Sequence, residues 1–263
     1  MPAREEHMRS RYLDIEDRTQ DLAELLRDEP ALAHEFLRKY ELSWIYHENA
    51  LEGLVFSGQE IETALAHQPI AEASTISAFR DVRNFKASID IVRAEASAKK
   101  PPKISLQLVK KLYETLHAGI ESRAVAEYRK EIPLHRAYFH EIAQPAKVPA
   151  MLADLMEWCE SAEFKRTHAV QKASKLQHVF MQIYPFTEGS GKIARLLSNL
   201  LLVHDGYQPC IVHTIDRQRY YESLRLPDST LRELMMESIE NGLANGEKFF
   251  RHALAGRSKK AVR

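Results

Sequence analysis

The chain has 263 residues, with 37 Lys and Arg against 37 Asp and Glu and 44% hydrophobic residues, so its formal net charge is zero. That balance supplies no field to gather nucleic acid or an anionic membrane, and the length is enough to bury a sizeable core. Cys159 and Cys210 are the only cysteines and stand at no metal-like spacing, and no apolar run reaches the roughly 18 residues of a membrane span, which argues against a disulfide scaffold or a transmembrane helix.

The start MPAREEHMRSRY has no apolar stretch of the signal-peptide kind, so the expected location is the cytoplasm. Nine glycines and long periodicities near 3.6 predict a mainly α protein, one elaborated domain in size. Residues 3–28 read as a charged helical arm ending near Asp28-Glu29-Pro30, and residues 31–52 as a second helical region. Ser57-Gly58-Gln59-Glu60 predicts a turn and cap opening another helix.

Helical patterns then run over 70–97 and 105–119, parted by the loop Lys99-Lys100-Pro101-Pro102. From Tyr128 to Pro145, Ile132, Leu134, Tyr138, Phe139 and Ile142 sit among Pro and charged residues, which predicts a short β-ribbon. His135 and His140 lie in it with no Cys or Asp at ligand spacing, so they read as ribbon histidines and not metal ligands. His178 reads as a satisfied helix residue. The pattern is helical again from Thr230, with Asn245-Gly246 expected to interrupt it, and Arg257-Ser258-Lys259-Lys260 reads as a solvated basic tail.

The chemistry is concentrated in Tyr184-Pro185-Phe186-Thr187-Glu188-Gly189-Ser190-Gly191-Lys192-Ile193-Ala194-Arg195. Leu176, Val179, Phe180 and Ile183 before it, and Ile193, Leu196, Leu197, Leu200 and Leu201 after it, recur at helical spacing, so the stretch is an elbow between two core-facing helices. Pro185 ends the first helix by biasing Tyr184 away from helical angles. Gly189, Ser190 and Gly191 let the backbone curl into a nest of N–H donors where the second helix begins, and the helix dipole adds partial positive charge there. Lys192 and Arg195, three residues apart, share a face and are placed to converge on phosphates, with Ser190 free to cap the helix. Glu188, just before the nest, is placed to hold Mg²⁺ bridging those phosphates. The bland reading of the same string is a glycine-rich turn between two helices.

This stretch resembles the signature of the Fic family, His-Pro-Phe-x-Asp/Glu-Gly-Asn-Gly-Arg-x-x-Arg, with Tyr184 for the His, Ser190 for the Asn and Lys192 for the first Arg. The resemblance runs from about Leu42 to Leu224. LLSNLLLVHDGY (196–207) and RQRYYESL (217–224) look like the family's core helix with its Gly-Tyr turn and its Arg-x-x-Tyr-Tyr helix; Tyr128-Arg129, Ile132 and 145–158 look like its flap hairpin and the helix beyond. Glu48-Asn49-Ala50-Leu51-Glu52-Gly53 resembles the inhibitory motif Ser/Thr-x-x-x-Glu-Gly/Asn, with Glu48 in place of the hydroxyl residue.

The resemblance implies a helical bundle with a β-hairpin flap, divided into an arm (1–41), a Fic-like domain (42–225, with the inhibitory segment at 42–53) and a C-terminal extension (226–263). It implies ATP or another nucleotide with Mg²⁺, nucleotide contacts from Gly189, Ser190, Gly191, Lys192, Arg195 and Tyr221, a metal contact from Glu188, and Glu52 paired with Arg195 as the inhibitor. An unidentified target or partner protein would dock at the flap, 128–145, and a homodimer fits the family; neither nucleic acid nor membrane is implied. The reaction would be AMP transfer from ATP to a protein hydroxyl.

Tyr184 stands where the family's base stands. A free tyrosine titrates at about 10, and bringing it to neutrality takes roughly 3 units, or about 4 kcal/mol of phenolate stabilisation. The sequence therefore leaves three readings open: a transferase with impaired or altered catalysis, a catalytically inactive nucleotide sensor, and a protein-binding scaffold with Glu52 plugging the site.

Overall fold

The computed structural model describes residues 2–66, 73–123, 125–134 and 140–261, and side chains at all of these but 2–5, 7, 73–76 and 258–261. Helices α1 (Pro2–Asp28) and α2 (Pro30–Leu51) meet at Glu29, and Pro30 sits at the first helical position, where an N–H would have no partner. Helix α3 (Gly58–Leu65) opens on the expected capping box: Ser57 N donates to Glu60 Oε2 at 2.7 Å, and Glu60 N donates to Ser57 Oγ at 3.2 Å. Helices α4 (Ala73–Ala96) and α5 (Leu106–Leu116) follow, either side of the Lys99–Pro102 loop. Then come α6 (Val148–Glu160), α7 (Ala162–Arg166), α8 (Ala169–Ile183), α9 (Ser190–His204), α10 (Arg217–Ser223) and α11 (Asp228–Ala261).

The centre is the α8–α9 hairpin, with α4 packed on α9, and α6 and α11 on α8. Every residue of α9 from Ile193 to Leu202 is buried, the polar Arg195, Ser198 and Asn199 among them. Its one amide there, Asn199, is satisfied by both backbone polar groups of Cys210. Helix α2 reaches this centre from the side: Trp44 meets Phe85 of α4 edge-on at 6.1 Å, and Tyr40 donates to Pro209 O at 2.8 Å. The arm α1 lies on α11 and is tied to it by Arg11–Glu240 and Arg18–Glu247. His178 is buried with Nε2 2.8 Å from Leu226 O, and His140 is buried with Nε2 2.9 Å from Met181 O.

Two expectations are corrected. The ribbon over 128–145 forms no strand among the described residues; Tyr138, Phe139 and His135 lie outside them. Its main chain bonds elsewhere: Arg129 N donates to Pro185 O at 2.9 Å and Ala143 N to Gln182 O at 2.8 Å, so the donors a hairpin ladder would use go to the end of α8 and the turn after it. The Asn245-Gly246 break does not occur either, and α11 runs straight through it. Gly246 is there for space: a Cβ at that position would lie 2.9 Å from Leu22 Cδ1 and 3.3 Å from Phe36 Cζ, and one at Gly242 would lie 2.7 Å from Tyr40 Oη. Close seating of α1 and α2 on α11 uses those glycines, and tertiary packing outweighs their weak helix propensity.

Gly246→Leu is expected to destabilise the protein by about 1–3 kcal/mol through overpacking. Gly256→Ala in the same helix, where a Cβ would meet open space, is expected to stabilise it by up to about 1 kcal/mol. Urea denaturation of both variants checks the contrast, and equal effects would contradict the packing role of Gly246.

Candidate functional site

The elbow between α8 and α9 is built from one strained residue and one internal staple. Tyr184 follows the last turn of α8 with φ 46° and ψ 65°, and among the described residues it alone has positive φ without being glycine. A left-handed tyrosine costs about 1–3 kcal/mol and persists only where surroundings enforce it. Tyr184 N donates to Phe180 O at 2.8 Å, and Pro185 prevents the helix from continuing. The cap expected of Ser190 is absent: Gly189, φ 78°, is the N-cap of α9, and the buried Ser190 hydroxyl instead accepts from Phe186 N at 2.9 Å and donates to Phe186 O at 2.8 Å. The serine closes the loop on itself rather than capping the helix, so it takes up none of the first N–H groups of α9, which have no intrahelical partner.

What enforces Tyr184 is Arg129, whose role the sequence did not reveal. Its guanidinium is buried and donates to Tyr184 O at 2.6 Å, Glu131 O at 3.1 Å, Ile183 O at 3.2 Å and Ala143 O. Four carbonyls from the helix end, the elbow and both sides of the 129–143 segment thus converge on one planar cation. Burial pulls this guanidinium below its ordinary value, with Tyr184 working the other way.

Arg195, 2% exposed, lies at the other end of the nest and is held from α2. Its Nε donates to Glu48 Oε1 at 2.7 Å, its Nη2 lies 2.5 Å from Glu48 Oε1 and 2.9 Å from Glu52 Oε1, and its Nη1 donates to Tyr220 Oη at 3.2 Å. The contact of Glu52 with Arg195 is therefore present, and Glu48 adds a second one. Burial opposes the charge of Arg195, but the carboxylate of Glu48, then Tyr220 and Glu52, hold it well above its ordinary value; burial pushes Glu48 up, with Arg195 opposing. Glu52 is placed by the end of α2: Gly53, φ 90°, donates to Ala50 O at 3.1 Å and Leu54 N to Asn49 O at 3.0 Å, a Schellman closure that fixes the last turn. The Glu52 carboxylate packs on the nest itself, since a Cβ on Gly191 would stand 3.2 Å from Glu52 Oε1 and 3.2 Å from Arg195 Nη1. Lys192 is also drawn to α2, donating to Asn49 Oδ1 at 3.1 Å.

In front of the nest is a cavity of about 600 Å³, lined among others by Glu52, His117, Arg123, Tyr184, Glu188, Gly189, Lys192 and Tyr221. Tyr221 carries the Arg217 guanidinium over its ring at 5.3 Å. Glu188 is half-exposed and paired with Arg123, with contacts of 2.6 Å and 2.5 Å. Among the described residues no cluster of three or more His, Cys, Asp and Glu is arranged to hold a metal ion. His117, absent from the sequence-derived site, lies against Gly189. It stands about seventy residues before the motif, and no pattern in the sequence links the two.

A family model described as Fic/DOC family matches residues 103–202. Protein adenylyltransferase fic-1 of Caenorhabditis briggsae is 23% identical over 190 residues, 72% of this chain and 37% of that protein. Protein adenylyltransferase Fic of Aedes aegypti is 21% identical over 223 residues, 84% of this chain and 44% of that protein. The chain thus spans less than half the length of these relatives. In fold it is similar to Fic-1 from Caenorhabditis elegans, with a TM-score of 0.80 at 16% identity over 97% of this chain and 75% of the other. It is similar also to a Fic domain containing signaling protein from Bacteroides thetaiotaomicron, with a TM-score of 0.71 at 19% identity over 88% and 98%. Residues 103–202, which hold nearly all of the central hairpin and the elbow at its turn, match the Fic/DOC family model, and the chain as a whole is similar in fold to these Fic-domain proteins.

Proposed function

We propose that the chain is a latched nucleotide-site protein of the adenylyltransferase kind, transferring AMP from ATP to a protein hydroxyl with impaired or altered catalysis. The observation that carries this reading is the carboxylate of Glu52 seated on Gly191 and bonded to Arg195. A helix N-terminus with a buried guanidinium beside it is an anion site, and a carboxylate placed there competes with phosphate for the same donors. The names of the relatives as protein adenylyltransferases support the reaction class.

In that reaction the acceptor oxygen forms a bond to the α-phosphorus, the α-phosphorus–oxygen bond to pyrophosphate breaks, and the hydroxyl proton must go to a base. The nest at Gly189–Gly191, Lys192 and Arg195 would bind and orient the phosphates, and Tyr221 would line the nucleoside end. Mg²⁺ commonly takes one or two carboxylates and completes its shell with phosphates and water. Glu188, a half-exposed cavity carboxylate, fits that requirement once exchanged from Arg123, and the ion would neutralise phosphate charge. A target protein would dock along 128–145, beside the elbow that Arg129 braces.

The second reading, a catalytically inactive nucleotide sensor or scaffold, is favoured by one specific observation. Tyr184 is fixed in its strained turn by Arg129, with its side chain 2% exposed, an arrangement that gives a phenol little freedom to serve as a base.

Incubation with labelled Mg-ATP and a mixture of candidate protein acceptors tests the two. In the Glu52→Gly background, Tyr184→His is expected to raise transfer, by up to about the hundred- to ten-thousandfold that a general base contributes. Arg195→Ala in that background is expected to abolish it. Transfer unchanged by Arg195→Ala contradicts the proposed phosphate site, and absence of transfer in Tyr184→His together with intact Mg-ATP binding favours the sensor.

A further inference from the structure

His117 closes α5; the residue is 6% exposed, and its ring lies 4.3 Å from that of Tyr113. Nδ1 lies 2.9 Å from Tyr113 O. A carbonyl oxygen only accepts, so Nδ1 carries the proton and Nε2 carries the lone pair. That edge is turned to the nest: a Cβ built on Gly189 would stand 2.8 Å from His117 Cε1 and 3.5 Å from Nε2. The ring lines the same cavity as Tyr184, Gly189 and Lys192. It is an imidazole with a fixed tautomer, braced by its own helix, whose unprotonated nitrogen lies on the ring edge that packs against the nest.

We propose that His117 is the proton acceptor of this cavity, a role that rests on the reading of the site as one of nucleotidyl transfer. The acceptor O–H bond breaks and its proton goes to His117 Nε2. The oxygen forms its bond to the α-phosphorus of a nucleoside triphosphate, and pyrophosphate leaves with the electron pair of the broken phosphorus–oxygen bond. The proton then passes to the departing pyrophosphate or to solvent.

Burial, more than the surrounding charges, keeps His117 in the basic form. Burial lowers its affinity for a proton, the carbonyl of Tyr113 raises it, Arg123 lowers it, Glu188 raises it and Lys192 lowers it, for a net position below the ordinary histidine range. Asp81 of α4 and Arg217 of α10 also line the cavity, and Arg80 of α4 donates to Gly119 O, two residues beyond the ring, at 3.2 Å. The neutral imidazole therefore predominates at neutral pH, and activity dependent on it is lost as pH falls through that lowered value.

The test uses the full chain with ¹⁵N-labelled histidine and ¹⁵N-labelled glycine, as the wild type and as the Glu48→Ala/Glu52→Gly variant. His117 is expected in the Nδ1–H tautomer, with its Nε2 resonance moving on addition of Mg-ATP. His117→Gln is expected to lower the transfer rate about a hundredfold or more, to remove the acidic limb of the pH–rate profile, and to leave Mg-ATP affinity within about twofold. An Nε2–H tautomer, or a rate and acidic limb unchanged in His117→Gln, overturns the inference. If Mg-ATP moves Gly189 and Gly191 but not His117, this inference fails while the site reading stands; if Mg-ATP moves none of them in either protein, the site reading fails and takes this role with it.

Discussion

A guanidinium that is 2% exposed must have its charge matched inside the protein, and Arg195 meets that condition through α2. Desolvating such a cation costs several kcal/mol, recovered only with close opposite charge and saturated donors. Glu48, Glu52 and Tyr220 supply both, so the last turn of α2 has to stand against the first turns of α9. Much of the remaining architecture serves that placement. Trp44 against Phe85, the Tyr40 bond to Pro209, and the glycines of α11 that admit Tyr40 and Phe36 all set where α2 ends. The Schellman closure at Gly53 then sets where Glu52 points.

The two carboxylates are unlike in consequence. Glu48 is 4% exposed and belongs to the core of the contact, while Glu52 keeps 30% of its side chain exposed and borders the cavity. Under the proposed function, a phosphate arriving at the nest would meet Glu52 first and would displace it toward solvent. Displacing Glu48 would leave a carboxylate buried without a partner, a change worth about 3–5 kcal/mol in buried pairs. On the proposed reading, the inner carboxylate holds Arg195 in shape and the outer one sets access. The elbow is maintained separately, by Ser190 closing on Phe186 and by Arg129 beneath Tyr184.

The elbow was legible in the sequence because its determinants are local: Pro185 and Gly189 punctuate two strongly periodic segments. The Ser57–Glu60 cap was legible for the same reason. The contact of Glu48 with Arg195 had a signal that went unused, since Glu48 and Glu52 are four apart on one helix and must share a face. The bracing role of Arg129 left no signal, because bonds from one side chain to four carbonyls impose no pattern on the residues supplying them. The 128–145 segment was misread as paired strands because apolar residues set among Pro and charges record which side chains are apolar, not where the backbone donors go. Gly246 was misread as a break because its reason lies in Leu22 and Phe36, on helices more than two hundred residues away.

The most direct test of the latch is calorimetric titration of Mg-ATP into the wild type, Glu52→Gly and Glu48→Ala/Glu52→Gly. The account predicts weak or no binding to the wild type, at least tenfold tighter binding when Glu52 is removed, and a smaller further change when Glu48 follows, because the outer carboxylate alone guards the nest. Equal affinity in all three, or no heat in any, would contradict the assignment of this buried guanidinium and its two carboxylates to a gated phosphate site.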